Sequence, residues 1–298
     1  MVLDDARAST PFKEGWEKHA YRMVLPDGTR SDALEDVFEK HFETPAAPLF
    51  DKLIADKALE AADREIFASF LGLMFVRTDG FRHRWAQTQL AREQQKQRLV
   101  ATSDSMFHAY MQKFEADMRP LSDAEKDEIR HAWLHPEGHD LSVNKGWTLR
   151  ALVEIEKAAP QLHAMQWSVM SASSDSYFIT GDDPVVCTLS PKNDLPFGPS
   201  LGNPYVQVTF PLSPKACLLA SWDENAPRRI NLPSDGVRHC NTLRAIHATR
   251  ELYGPREDEA VRQLARQYRD ARPNSAVDLD EGVELSRVFL HRGNEEPA

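Results

Sequence analysis

The spacing of apolar residues changes between Ala159 and Trp167, and that change constrains the fold more than any other feature of the chain. Upstream, apolar residues recur three and four apart, which is the period of a helix packed on one face. Downstream come short β-prone runs: Trp167–Met170, Tyr177–Thr180, Val185–Leu189, Tyr205–Phe210 and Ala216–Ser221. Ser, Asp, Gly and Pro clusters bound them, as turns bound the strands of a meander. Beyond Gly236 helical spacing resumes. The expected fold class is α+β, with a helical N-terminal half packed on a small, mostly antiparallel sheet, and further C-terminal helices. Residues 1–30 form an N-terminal segment. Residues 31–269 form one domain: helical over 31–160, β-rich over 165–222 and helical over 235–269. Residues 270–298 form a tail, with a linker over 270–281 and a final strand over Val283–Leu290.

Within the helical half, a short strand is expected over Tyr21–Leu25, before a Pro26-Asp27-Gly28 turn. A helix starts near Ser31, and Pro45 and Pro48 should kink or break it, because proline lacks the amide proton a helix needs. A second helix begins with Asp63 as cap. Its apolar stripe runs from Ile66 to Trp85, with Arg77 and Thr78 in a gap. Ser122-Asp123-Ala124-Glu125 is a capping box that opens a third helix, and a fourth covers Gly146–Ala159. After the strands, helices are expected over Gly236–Leu252 and Arg256–Tyr268.

The longest strongly apolar stretch, Leu71–Val76, is far too short for the roughly 20 residues of a spanning helix. No membrane is therefore expected as a partner, and Met1–Thr10 lacks the apolar core of a secretory signal. Three widely spaced cysteines, Cys187, Cys217 and Cys240, suit neither a disulfide framework nor a CxxC metal site. Together these readings place the chain in the cytoplasm. A net charge of −10 argues against the whole chain being a nucleic-acid binder. One local exception is Arg82, Arg84, Arg92, Lys96 and Arg98, five cations against the single acid Glu93. This run is the expected contact for any nucleic acid, although a solvated helix face explains such runs too.

Chemistry is expected first at Tyr177-Phe178-Ile179-Thr180-Gly181-Asp182-Asp183-Pro184-Val185-Val186. Two carboxylates stand at the end of an apolar strand, a position from which oxygen ligands often hold a divalent ion. Asp182 and Asp183 would then bind Mg2+ or Mn2+. The alternative is that both make turn hydrogen bonds to nearby backbone. Arg77, on an apolar helical stripe, needs a carboxylate partner, with Glu35, Glu43, Asp182 and Asp183 as candidates. His131 and His135 stand four apart but lack the glutamate of HExxH, and His139 and Asp140 lie past a helix break. No G-x-S-x-G elbow, P-loop or GxGxxG is present.

Phe178-Ile179-Thr180-Gly181-Asp182-Asp183-Pro184-Val185 resembles the Phe-Ile-Thr-Ser-Asp-Asn-Pro-Val motif of the bacterial domain-of-unknown-function family numbered four-two-three-eight. Pro211-Leu212-Ser213-Pro214-Lys215 is similar to its Pro-Leu-Ser-Pro element. Asn241, the helix to Ala248 and Leu252-Tyr253 resemble its Asn-then-Ala helix. The helices bearing Glu35, Glu43 and Phe75-Val76-Arg77-Thr78 resemble its helical half. The likeness spans roughly 31–265 and brings no activity with it. Gly181 and Asp183 replace the family's serine and asparagine, and its opening His-x-x-Pro element is not seen.

Two functions are open at this point. One is a metal-dependent hydrolase, acting on nucleic-acid phosphodiesters, with Asp182, Asp183, Arg77 and Glu43 catalytic and Thr180, Lys215 and Asn241 binding substrate. The other is a noncatalytic binding or regulatory protein, in which the same Arg/Asp network is structural.

Overall fold

The computed structural model describes residues 23–24, 29–136, 150–190 and 199–268. The expected turn at Pro26–Gly28, the start of the fourth helix, His139 and Asp140, the linker and the final strand lie outside them. Two short strands open the described chain, β1 (Met23–Val24) and β2 (Arg30–Ser31), paired antiparallel.

Helix α1 (Ala33–Phe38) runs through a π-helical turn, Glu39–Glu43, straight into α2 (Thr44–Ile54). Pro45 sits in the first turn of α2 and Pro48 inside it. Neither proline breaks α2, one of the two outcomes expected of them. The wider turn lies just before Pro45, whose missing amide proton costs little in the first turn of a helix.

The stripe expected to run from Ile66 to Trp85 is two helices. Helix α3 (Ala61–Val76) has Glu60 at its N-cap rather than Asp63, whose carboxylate instead pairs with Lys52 at 2.6 Å. Arg77 closes α3, and Thr78 opens α4 (Asp79–Thr102), accepting the Phe81 amide at 3.2 Å. A β-branched hydroxyl that can cap an amide offsets the break in the helix. Helix α5 (Asp104–Asp117), capped by Ser103, was not expected. Helix α6 (Asp123–Leu134) carries both bonds of the Ser122–Glu125 capping box. A 3-10 turn, Arg150–Glu154, leads into α7 (Ile155–Ala164), which outlasts the expected end at Ala159.

The sheet contains β3 (Gln166–Ala172), β5 (Val186–Leu189), β6 (Val206–Ser213), β7 (Ala216–Ser221) and β8 (Arg229–Leu232). Their order is β5-β6-β7-β3-β8; all neighbours are antiparallel except β3 and β8. The α+β expectation holds. Strand β8, which sequence reasoning missed, adds a parallel edge. The expected run Tyr177–Thr180 is mostly irregular, and only β4 (Thr180–Gly181) pairs, with β9 (Leu252–Tyr253). Helix α8 (Ser234–His247) therefore stops short of Leu252, and α9 (Glu259–Gln267) follows.

Successive side chains on a strand face opposite ways, and here the two faces meet different partners. Val206, Val208, Phe210 and Leu212 of β6 join Leu218 and Ala220 of β7 in the main core under α2, α3 and α7. Phe50, Phe67, Phe70 and Phe210 pack there edge to face or tilted. On the other face, Met170 and Cys217 meet Val237 of α8 and Phe178. A satellite cluster of Val100, Phe107 and Met111 holds α4, α5 and α6 together.

Candidate functional site

The corner between β4 and β5 is where the sequence placed its chemistry. Helix α8 and the chain after it are folded against this corner. Asn241 of α8 accepts the Ile179 amide at 3.0 Å and donates to the Tyr177 carbonyl at 2.8 Å. An amide side chain offers one acceptor and two donors, so this asparagine substitutes for a neighbouring strand along 177–179. That explains why the expected strand lacks a regular ladder there. Gly181 allows the last approach: a Cβ at this position would sit 2.9 Å from the Glu251 carbonyl.

Asp182 then faces the segment after α8. Its Oδ1 accepts the Thr249 amide at 2.9 Å, and its Oδ2 accepts the Thr249 hydroxyl at 2.6 Å and the Arg250 amide at 2.7 Å. Its own amide donates to the Glu251 carbonyl at 3.2 Å. These partners stand 67 and 68 residues away, not in the nearby backbone that a local turn would use.

Asp183 is buried, 2% exposed, with Arg84 Nη2 at 3.4 Å from its Oδ2. Burial pushes its carboxyl up to about 6, against the opposing pull of Arg84. Pro184 presents its carbonyl to Arg244, which is equally buried on α8. Arg244 also reaches the Thr209 carbonyl and hydroxyl, each at 3.4 Å, while its Nε has no hydrogen-bond partner among the described residues. Burial lowers the Arg244 pKa, with Asp183 among the groups that oppose the shift. His247, at the end of α8, is pushed down to about 4 by burial and by the charges of Arg84 and Arg244. Asp79 completes the cluster by pairing with both Arg82 and Arg250.

The other expected site residues are spread over separate contacts. Arg77 pairs with Glu43, one of its four candidate partners, across the α3 end and the π-helical turn. Thr180 pairs with Tyr253 through β4 and β9. Lys215 donates to the carbonyls of Ser173, Ser174 and Ser176 at 3.1, 2.7 and 2.6 Å, which uses all three of its protons. Of the basic run, Arg82 and Arg84 are in the ion pairs above and Lys96 pairs with Glu93 at 3.5 Å. Arg92 and Arg98 remain exposed on α4. The His131 and His135 rings lie 4.7 Å apart between centroids. Among the described residues, no three His, Cys, Asp or Glu side chains group so as to hold a metal ion. None of the described helices is long and apolar enough to cross a membrane.

Sequence reasoning missed Arg244, Asp79, His247 and Thr249. Arg244 had a readable signal, since it stands four and seven residues after Cys240 and Val237, on the buried face of α8.

The fold and this corner define an α+β protein whose sequence motif serves as a clasp between a sheet and a distant helix. The family model described as "Protein of unknown function (DUF4238)" matches residues 4–258, and the chain belongs to that family. The match begins well before residue 31, so the segment before the first helix is part of it. No curated protein and no solved structure matches the chain.

Proposed function

We propose that this protein is a noncatalytic binding or regulatory module whose Arg/Asp corner is architectural. The observation that carries this reading is the state of Asp182: three donors from Thr249 and Arg250 occupy its two oxygens. A catalytic divalent ion needs carboxylate oxygens it can reach, usually several, with room for water and substrate. Asp183 adds weight, because it is sealed from solvent and paired with Arg84. Lys215 and Asn241, the expected substrate contacts, are likewise engaged with backbone.

Calorimetry with magnesium and with manganese tests this reading against the metal-dependent hydrolase. The expected result is no binding heat for either ion, together with a marked loss of thermal stability in Asp182→Ala. Ion binding that disappears in a folded Asp183→Asn variant would instead return the hydrolase and overturn the proposal.

A further inference from the structure

A cavity of about 200 Å3 lies away from the Asp182 corner, between the end of α2 and the start of β3. Its apolar wall is Leu53, Leu59, Trp167 and Val169, and its polar rim is Lys57, Arg64 and Arg228 with the single acid Asp56. Three cations less one acid leave a local charge of +2, in a chain whose net charge is −10.

Arg64 and the loop that carries Asp56 and Lys57 are held in place. Arg64 donates from Nε to the His163 carbonyl at 3.0 Å and from Nη2 to the Met165 carbonyl, and its guanidinium lies 4.2 Å from the Trp167 ring centroid. Its Nη1 has no hydrogen-bond partner among the described residues, nor does the Lys57 ammonium. Asp56 adopts a left-handed backbone, φ 58°, and lies 3.5 Å from Arg228 and 3.4 Å from Arg229. Arg229 also donates to the carbonyls of Leu53 and Ile54, which anchors the loop that carries Asp56 and Lys57. A non-glycine residue in this region is uncommon and requires such support.

We propose that this cavity binds a small phosphomonoester, with the phosphoryl group at the Arg64–Lys57–Arg228 rim and a short apolar portion against Leu59 and Trp167. A phosphoryl group carries close to two negative charges at neutral pH, which matches the rim. The Arg64 guanidinium, oriented by its backbone bonds, offers Nη1 to a phosphoryl oxygen, and Lys57 and Arg228 add charge beside it. The volume is below the usual range for drug-sized ligands, which favours a phosphate with a few attached atoms over a nucleotide. This goes beyond the binding-module reading and uses none of the corner residues, so either can fail alone.

The test is calorimetry and tryptophan fluorescence on the full chain, titrated with glycerol 3-phosphate and with inorganic phosphate. One-to-one binding of glycerol 3-phosphate is expected, tighter than inorganic phosphate and with a fluorescence change. Lys57→Ala and Arg228→Ala alter exposed side chains, so both should fold, and each should weaken binding about tenfold or more, the effect of losing one charge-assisted contact. Arg64→Lys keeps the charge but loses the planar guanidinium that the His163 and Met165 carbonyls orient, and should lose affinity. No binding of either probe at millimolar concentration, or binding unchanged in both alanine variants, overturns the proposal. Inorganic phosphate binding as tightly as the ester would refute the apolar part of the ligand.

Discussion

Asp182 and Thr249 are joined twice, through the threonine's amide and through its hydroxyl, at 2.9 and 2.6 Å. Both oxygens of one carboxylate thereby fix the turn between α8 and β9. Removing the side chain leaves two amides and a hydroxyl without their acceptor. Asp182→Ala should cost about 3 kcal/mol, since hydrogen bonds to a charged group are among the stronger ones. Asp182→Asn keeps one acceptor and should fall between the two. Urea denaturation of the three proteins gives the comparison, and equal midpoints would show that the turn needs no carboxylate.

The Arg77–Glu43 pair is partly exposed, with side-chain exposures of 28% and 41%. Solvent screening keeps such pairs to about 1 kcal/mol or less. Arg77→Glu should destabilise the protein, and adding Glu43→Arg should recover most of the loss. Glu35→Arg should recover none of it. A double-mutant cycle in thermal melts reads the coupling directly.

Asp183 and His247 pull the pH dependence of stability in opposite directions. Asp183 has its folded pKa raised from 3.8 to about 6. Its contribution is therefore full below pH 3.8 and is lost as the pH rises through 6. His247 has its folded pKa lowered from 6.5 to about 4. Its contribution is full above pH 6.5 and is lost as the pH falls through 4. Between pH 4 and 6 the slopes oppose, so the wild type should vary little. His247→Asn should become more stable on acidification from pH 6.5 to 4.5, and Asp183→Asn less stable. Each change should reach about 1–2 kcal/mol, allowing for the solvent that reaches His247. Parallel curves for the two variants would contradict this.

Gly181 has no room for a methyl group. A Cβ 2.9 Å from the Glu251 carbonyl and 3.2 Å from Ala248 would meet backbone on one side and a buried helix end on the other. Gly181→Ala should cost about 1–3 kcal/mol, as overpacking usually does. Amide hydrogen exchange should rise at Thr180 and Tyr253, where β4 meets β9. Unchanged exchange there would mean that the strands part without cost.

What the sequence made legible was local. The Ser122–Glu125 capping box lies within one turn, and both of its bonds are present. The β-prone runs of β6 and β7 marked the sheet because turn residues bound them and both are largely buried. Thr78 was hidden because the apolar stripe continues past it, and hydrophobic spacing alone cannot show where a helix is cut and recapped. Strand β8 was hidden because Arg229–Leu232 has only four residues, and its pairing with β3 is set by the chain around it. At the corner, the motif drew attention to Asp182, Asp183 and Asn241, but not to what they hold. Their partners are decided by tertiary structure: Asn241 bonds residues 62 and 64 positions away, and Asp182 residues 67 and 68 away. Arg77 was the exception, since a cation on a buried stripe implies an acid, and Glu43 was among those named.

The clasp also dates the moment at which the protein can be finished. During translation the segment Tyr177–Asp183 emerges long before Asn241, Thr249 and Leu252, on which its backbone relies. Until those residues have cleared the ribosome, Tyr177–Asp183 lacks the partners that complete it. Contacts of such long sequence separation form late and slowly, so this stretch of the polypeptide is where a chaperone has most to protect.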